Sequence, residues 1–556
     1  MVTKSERLTQ GDLLGSAEAV ARRTKEQGAM TQQKSERRRV PQALRKSGPT
    51  ASRVHGGAGI QGGKATPVEQ QPWQLKLSFE TAENRRVQTQ GSVGRAGADL
   101  SVPARRAEPK SKRRGQTVTT ATMGAVCSNL AAAFQSVASN KGAPGPDRQS
   151  IEQVQSRLQE VVRDVRLALE AGSYVPGEIR RVWIPKAGGG ERGLGIPNVV
   201  DRMVQEAVRM VLEPLYEPTF HGSSHGFRPG RSCHTAIAEA KGYLEEGCEW
   251  VVDLDLEKFF DRVNHQRLMS RLAERIEDKP LLVLIGRMLK AKVVMPDGVR
   301  VSTDEGVPQG GPLSPLLSNI VLSELDSELA RRGHRFVRYA DDCNIYVQSE
   351  RAGQRVMASV VGFIEGRMRL KVNKAKSAVA RPEERHFLGF RLRREPIDGT
   401  VEVLLSKRSE ERLDTNIREL TPRTWGNTLS ACIVQLNRFL RGWLGFFGIC
   451  TPGVERTLQY RDAHIRRRLR ALTLKDWKRK RTMARKLIAL GVSAKTAWRN
   501  VYAGRKSLWA LSQAPATYRG LRNAYFAERG LVSLLEKWRT DARYIDAPVQ
   551  LSLGLG

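Results

Sequence analysis

The side chains best placed to do chemistry are acidic. Tyr339-Ala340-Asp341-Asp342 stands between two β-prone runs, 336–340 and 344–348, a hairpin pattern with an acidic tip. Upstream, Trp250-Val-Val-Asp253-Leu-Asp255-Leu-Glu257 reads as a buried strand running out into a turn and a helix, and strand alternation puts Asp253 and Asp255 on one face. Two adjacent aspartates repel one another, and a divalent cation removes that repulsion. Mg²⁺ suits such a site because it prefers carboxylate oxygens, needs few protein ligands and leaves positions open for phosphates. Two such ions, about 3.5–4 Å apart, can stabilise both the attacking and the leaving oxygen of a phosphoryl transfer. An isolated Asp-Asp pair is an ordinary turn cap, so its neighbours decide.

Those neighbours are suited to phosphate. Trp183-Ile-Pro-Lys186-Ala-Gly-Gly-Gly-Glu-Arg192-Gly-Leu-Gly-Ile-Pro197 reads as strand, glycine-rich turn, strand. Lys186 and Arg192 flank the turn, one a point charge and the other a planar fork, both matched to phosphate oxygens. The other reading is an exposed basic hairpin that touches a template backbone or nothing. Gly306-Val-Pro308-Gln309-Gly310-Gly311-Pro312 is a loop whose glycines allow close backbone approach, ahead of a helix over 316–329. His225, His234, His265 and His386 lack metal-ligand spacing and read as structural.

The elements that must position these groups follow from periodicity. Helical spacing runs through 126–137, 151–169, 199–216, 233–244 and 264–277, with short β-rich runs between, at 180–185 and 250–256. The mixture predicts an α+β core, followed from about residue 425 by helix signals almost alone. The 556 residues carry 93 Lys/Arg against 58 Asp/Glu, a net of +35 that calls for a polyanionic partner. Residues 1–120 are net +13, 121–400 net +4 and 401–556 net +18. The first segment is poor in apolar runs and reads as mostly disordered, either an RNA-contacting arm or a leader ahead of a later start at Met30 or beyond. Six scattered cysteines without a Cys-x-x-Cys pair exclude a disulfide scaffold or zinc ribbon and read as reduced thiols. Without an apolar span or secretory signal, the expected location is the cytoplasm, with no membrane partner.

With these pieces in place, the sequence resembles the group II intron-encoded reverse transcriptase/maturases. Tyr339-Ala340-Asp341-Asp342 looks like their palm motif, and the likeness runs in order through 140–147, 181–198, 224–235, 251–265, 305–319, 371–377 and 387–390. The resemblance covers roughly 121–545 and leaves the first 120 residues unmatched. It implies a right-hand polymerase with fingers and palm at 121–400, an α-helical thumb or maturase region at 401–479 and a DNA-binding region at 480–556. It selects Asp255 over Asp253, making Asp255, Asp341 and Asp342 the catalytic, Mg²⁺-binding carboxylates (Mn²⁺ a possible substitute). It places Lys186 and Arg192 on the incoming dNTP and Gln309 beside the nucleotide and primer end. It implies that Phe260, otherwise a core aromatic, lies under the sugar and disfavours a 2′-hydroxyl, and that Lys376, with Lys374 as its competitor, protonates departing pyrophosphate.

The tail fits the same reading. Residues 461–510 hold 16 Lys/Arg against two acids, including Arg466-Arg467-Arg468, Lys478-Arg479-Lys480-Arg481 and Arg505-Lys506. Basic helices interleaved with aromatics suit phosphate contact and base stacking, and the resemblance makes the partners group II intron RNA, a primer strand and target DNA. The His-Asn-His endonuclease that many relatives append has no counterpart in the pattern, so no second-strand cleavage is expected. The implied function is RNA-directed DNA polymerisation by target-primed reverse transcription, with assistance to splicing. The rivals are a splicing-only RNA-binding maturase and a domesticated reverse transcriptase in phage defence or spacer acquisition. Oligomeric state is left open, monomer or dimer.

Overall fold

The computed structural model describes residues 120–185, 190–422, 426, 428–504 and 507–541. The basic N-terminal segment, Lys186, Arg505 and Lys506 lie outside the described residues.

The centre is a four-stranded antiparallel sheet in the order β6-β7-β3-β8 (Arg335–Tyr339, Asp342–Val347, Trp250–Leu254, Ala378–Ala380). Its strands are apolar at both parities because both faces are covered. Val252, Leu254, Cys343 and Ile345 point into one core, shared with the helices Met123–Ser139, Val199–Tyr216 and Ser314–Arg331. Val251, Val337 and Tyr346 point into a second core, which takes in the helix Cys233–Glu245 and the C-terminal helices as far as Trp538. A smaller sheet, β2-β1-β4-β5, has the antiparallel hairpin of β1 (Ile179–Pro185) and β2 (Glu191–Ile196) at one edge, with the short β4 (Val293–Val294) and β5 (Arg300–Val301) beside it.

The expected helix over 199–216 forms as Val199–Tyr216. The one expected over 151–169 is two helices, Ile151–Ser156 and Leu158–Glu170, broken at Arg157 (φ −121°, ψ 24°). An antiparallel pair absent from the sequence reading, β9 (Phe390–Arg394) and β10 (Val401–Leu405), precedes the helical tail. Phe390, Leu392, Val401, Val403 and Leu405 face the second core with strand period.

Candidate active site

The acidic residues meet at one end of the central sheet. In the β3–β7 register Asp253 faces Asn344 and Leu254 faces Cys343. One further step puts Asp255 opposite Asp342. The turn between β6 and β7 is only Ala340-Asp341, with Tyr339 paired to Asp342. Asp341 is therefore one peptide from the strand that faces Asp255.

The electrostatics record this convergence. Burial pushes the Asp341 carboxyl above its ordinary range and Asp255 adds to the rise, while Arg192 and Lys376 oppose it. Asp342 is pushed up to about 7, first by burial and then by the charges of Asp341, Asp253 and Asp255, although part of its side chain meets solvent. Among the described residues, no three His, Cys, Asp or Glu side chains form a ready-made metal cage. Mg²⁺ does not ask for one, since it takes one or two carboxylates and completes its shell with water and phosphate. All-oxygen donors under mutual repulsion fit that ion.

Asp253 has another partner. Arg385 donates to its Oδ2 through Nε (2.8 Å) and Nη2 (2.5 Å), and Nη2 also donates to the Lys376 carbonyl at 2.6 Å. Asp255 instead has the Lys376 ammonium 3.4 Å from both of its oxygens. The loop carrying Lys376 is tied to β3 by Asn373 N–H on the Asp255 carbonyl (2.8 Å) and by Asp255 N–H on Ser377 Oγ (3.0 Å).

Of the remaining expected residues, Arg192, Phe260 and Gln309 are described, and each is tied to this end of the sheet. Arg192, exposed on β2, lies within electrostatic reach of Asp341. Half-buried Phe260 follows β3 on a short 3₁₀ turn, its ring 5.3 Å from that of Phe259, and its carbonyl accepts from Val307 N–H at 2.6 Å. That bond ties Phe260 to the Gln309 loop. The Gln309 carbonyl in turn accepts from Gly195 N–H of β2 at 2.6 Å. Gly310 (φ +126°) packs so tightly there that a Cβ would lie 2.4 Å from the Gly195 carbonyl oxygen. The basic hairpin, the glycine loop and the strand end are thus one hydrogen-bonded unit. The four histidines are all engaged: His225 with Thr235 and Glu239, His234 with the Phe446 carbonyl, His265 with the Gly306 carbonyl and His386 with Ser406.

The basic tail divides. Lys478, Arg479 and Arg481 are exposed, and Lys480 reaches the Gly504 carbonyl and lies 5.5 Å from the Tyr502 ring. Arg466 is half-buried. Arg467 lies 3.8 Å over the Trp509 ring, and Arg468 bonds Thr421 and the carbonyls that end the helix Lys407–Leu420. A cavity of about 640 Å³, lined by Val175, Met269, Val283 and Lys290 among others, shares no residue with the acidic cluster.

Sheet, acidic turn and facing basic hairpin together make the palm and fingers of a right-hand polymerase. Residues 184–392 match the reverse transcriptase (RNA-dependent DNA polymerase) family model, and residues 411–488 match the group II intron maturase-specific domain. Protein YkfC of Escherichia coli is 34% identical over 345 residues, covering 55% of this chain and 88% of that protein. The group II intron-encoded protein LtrA of Lactococcus lactis is 39% identical over 207 residues, covering 37% of this chain and 34% of LtrA. A solved Cas6-RT-Cas1–Cas2 complex aligns with 44% of this chain and 42% of its own, at 25% identity and a TM-score of 0.29. The chain belongs to the group II intron-type reverse transcriptases, with a reverse transcriptase domain followed by a maturase-specific domain. The family generally uses divalent metal ions. Among the described residues no helix is long and apolar enough to cross a membrane.

Proposed function

We propose that this chain copies its own group II intron RNA into DNA from a primer in the target strand, and that it grips the same RNA to assist splicing. The observation that carries the reading is the strand register, which ends at Leu254 and Cys343, one residue short of Asp255 and Asp342, with Asp341 one peptide away and Asp255 raising both of their carboxyls. Asp255, Asp341 and Asp342 would hold Mg²⁺, with Mn²⁺ as a substitute, and the bound ions would offset charge on the attacking and leaving oxygens. Lys186 and Arg192 would grip the triphosphate, Gln309 would border the nucleotide, and Phe260 would lie under its sugar. The primer 3′-hydroxyl would give its proton to solvent as its oxygen forms the new bond to the α-phosphorus. The bond to the β-phosphate bridging oxygen breaks, and Lys376, whose ammonium stands beside Asp255, would protonate the departing pyrophosphate.

Exposed Lys478, Arg479 and Arg481, with Lys480, Arg466, Arg467, Arg468, Arg505 and Lys506, supply the polyanion grip in this reading. The maturase region, 401–479, would bind intron RNA, and 480–556 the DNA target.

Primer extension on an RNA template, beside protein-assisted splicing of the cognate intron, tests both halves. Asp341→Ala is expected to abolish extension and leave splicing near the wild-type level. Loss of both in a folded variant would refute separate sites for chemistry and RNA grip, and full extension by the variant would refute the carboxylate assignment.

A further inference from the structure

We propose that Arg338, held by Asp326 and Asn319, is a positioning residue: a buried latch that fixes the peptide joining Ala340 to Asp341 and thereby sets the polymerase rate. The inference rests on the reverse transcriptase reading of the acidic cluster.

Arg338 lies on β6 with strand parity opposite to the acidic residues, so it points into the core beneath them, and it is 0% exposed. A buried guanidinium is costly unless every donor is satisfied. Here all five N–H groups find acceptors. Nε and Nη2 each donate to Asp326 at 2.6 Å, and Nη2 also reaches Ser224 Oγ at 2.6 Å. Nη1 donates to Asn319 Oδ1 (3.1 Å) and to the Ala340 carbonyl (2.8 Å). Asp326 alone would neutralise the charge. The other three bonds reach a loop, a helix and the catalytic turn, a distribution that orients as well as compensates.

The bond to Ala340 is the informative one. That carbonyl shares its peptide plane with the nitrogen of Asp341, so the donor from Arg338 sets the plane from which Asp341 projects. Ala340 has φ +56°, a left-handed conformation that a non-glycine residue keeps only when its surroundings impose it. The opposite side of the turn is held as well. Asn319 Nδ2 donates to the Gly226 carbonyl at 2.8 Å, and Gly226 packs against the Ala340 nitrogen. His225 N–H on the Arg338 carbonyl (2.8 Å) and Arg338 N–H on the Ser223 carbonyl (2.9 Å) lock the loop to β6.

The test separates orientation from core packing. The double variant Arg338→Met/Asp326→Leu replaces the buried pair with apolar groups of similar volume, an exchange that proteins tolerate, but leaves the Ala340 carbonyl, Asn319 Oδ1 and Ser224 Oγ without the Arg338 donor. Single-nucleotide extension on an RNA template would give kcat and the KM for dNTP separately. Electron paramagnetic resonance would follow Mn²⁺ binding, with thermal melting and RNA affinity reporting the fold. The expected result is a folded, RNA-binding double variant whose kcat falls about 10²-fold, with KM nearly unchanged and Mn²⁺ bound more weakly. Arg338→Lys keeps the charge beside Asp326 but cannot span Asp326 and the Ala340 carbonyl. It is expected to melt like the wild type and to lose roughly tenfold in kcat, and it decides the question should the double variant fail to fold. Wild-type kcat and Mn²⁺ affinity in either folded variant would overturn the latch. A wild-type chain that extends no primer would overturn the reading of the site instead, and the latch would then stand or fall on Mn²⁺ affinity.

Discussion

Gly226→Ala is a one-carbon perturbation aimed at the catalytic turn. The added Cβ would lie 2.2 Å from the Ala340 nitrogen and 3.0 Å from both the Ala340 Cα and the Tyr339 carbonyl carbon. All three are backbone atoms, so no side-chain rotation relieves the clash. Ordinary contact begins at 3.4 Å, so the two backbones must part by about 1.2 Å. The 223–225 loop is bonded to Arg338 on both its N–H and its carbonyl, which leaves Ala340 and Asp341 to absorb the shift. A misplacement of about 1 Å at a catalytic group costs on the order of 10²-fold in rate, or about 2.7 kcal/mol of barrier. Overpacking of this kind costs about 1–3 kcal/mol of stability, which a domain stable by about 5–15 kcal/mol survives. Primer extension under saturating dNTP, with thermal melting as the control, reads both effects. A variant that melts earlier yet extends within about twofold of the wild-type rate would show the turn to be compliant, and the reasoning would fail.

Phe260→Ala should raise ribonucleotide incorporation relative to deoxynucleotide by roughly tenfold, as expected for loss of one steric contact; competition between dNTP and rNTP on a fixed primer measures it, and an unchanged ratio removes Phe260 from sugar selection. Intron RNA affinity should fall about 10³-fold or more between 50 and 200 mM salt if six to ten phosphates are contacted; a flat response in filter binding would exclude phosphate-dominated grip. Trp538 is 1% exposed and its indole N–H donates to the Cys450 carbonyl at 3.2 Å. Trp538→Ala should therefore cost about 3–5 kcal/mol in chemical denaturation. A loss below about 1 kcal/mol would mean that the last helix, Leu534–Asp541, adds little to the core.

The central strands were legible because their signal is local. The run expected at 250–256 forms as Trp250–Leu254 and the one at 336–340 as Arg335–Tyr339. The β9–β10 pair was legible too and was missed: Phe390-Arg-Leu-Arg-Arg alternates apolar and basic residues, and the basic half disguises the period. The fate of the basic tail could not be read from composition. Consecutive residues on a helix point about 100° apart, so three arginines in a row cannot share one surface, and here Arg467 stacks on Trp509 while Arg468 bonds the end of a neighbouring helix. Arg338 had a visible cue, a charge between Val337 and Tyr339 near the inner end of its strand, but its partners Ser224, Asn319 and Asp326 come from two other segments that no spacing rule connects.

Strand parity gives Asp253 and Asp255 the same face, and nothing within the strand chooses between them. The choice is made by Arg385, 132 positions away from Asp253 in the chain. Its two-nitrogen grip on Asp253 Oδ2 is short and only 27% of the arginine side chain is exposed, so that carboxylate already has a close cationic partner. Among the described residues, the cation paired with Asp255 is Lys376, at 3.4 Å and 65% exposed. Contacts of that kind are worth about 0–1 kcal/mol, so this ammonium yields readily to a stronger cation or follows a phosphate. Arg385 also bonds the Lys376 carbonyl, so the residue that pairs with Asp253 also anchors the backbone that carries Lys376. Of two carboxylates that the strand makes equivalent, the inner is held by a half-buried arginine and the outer by an exposed lysine, a distinction that exists only in the folded chain.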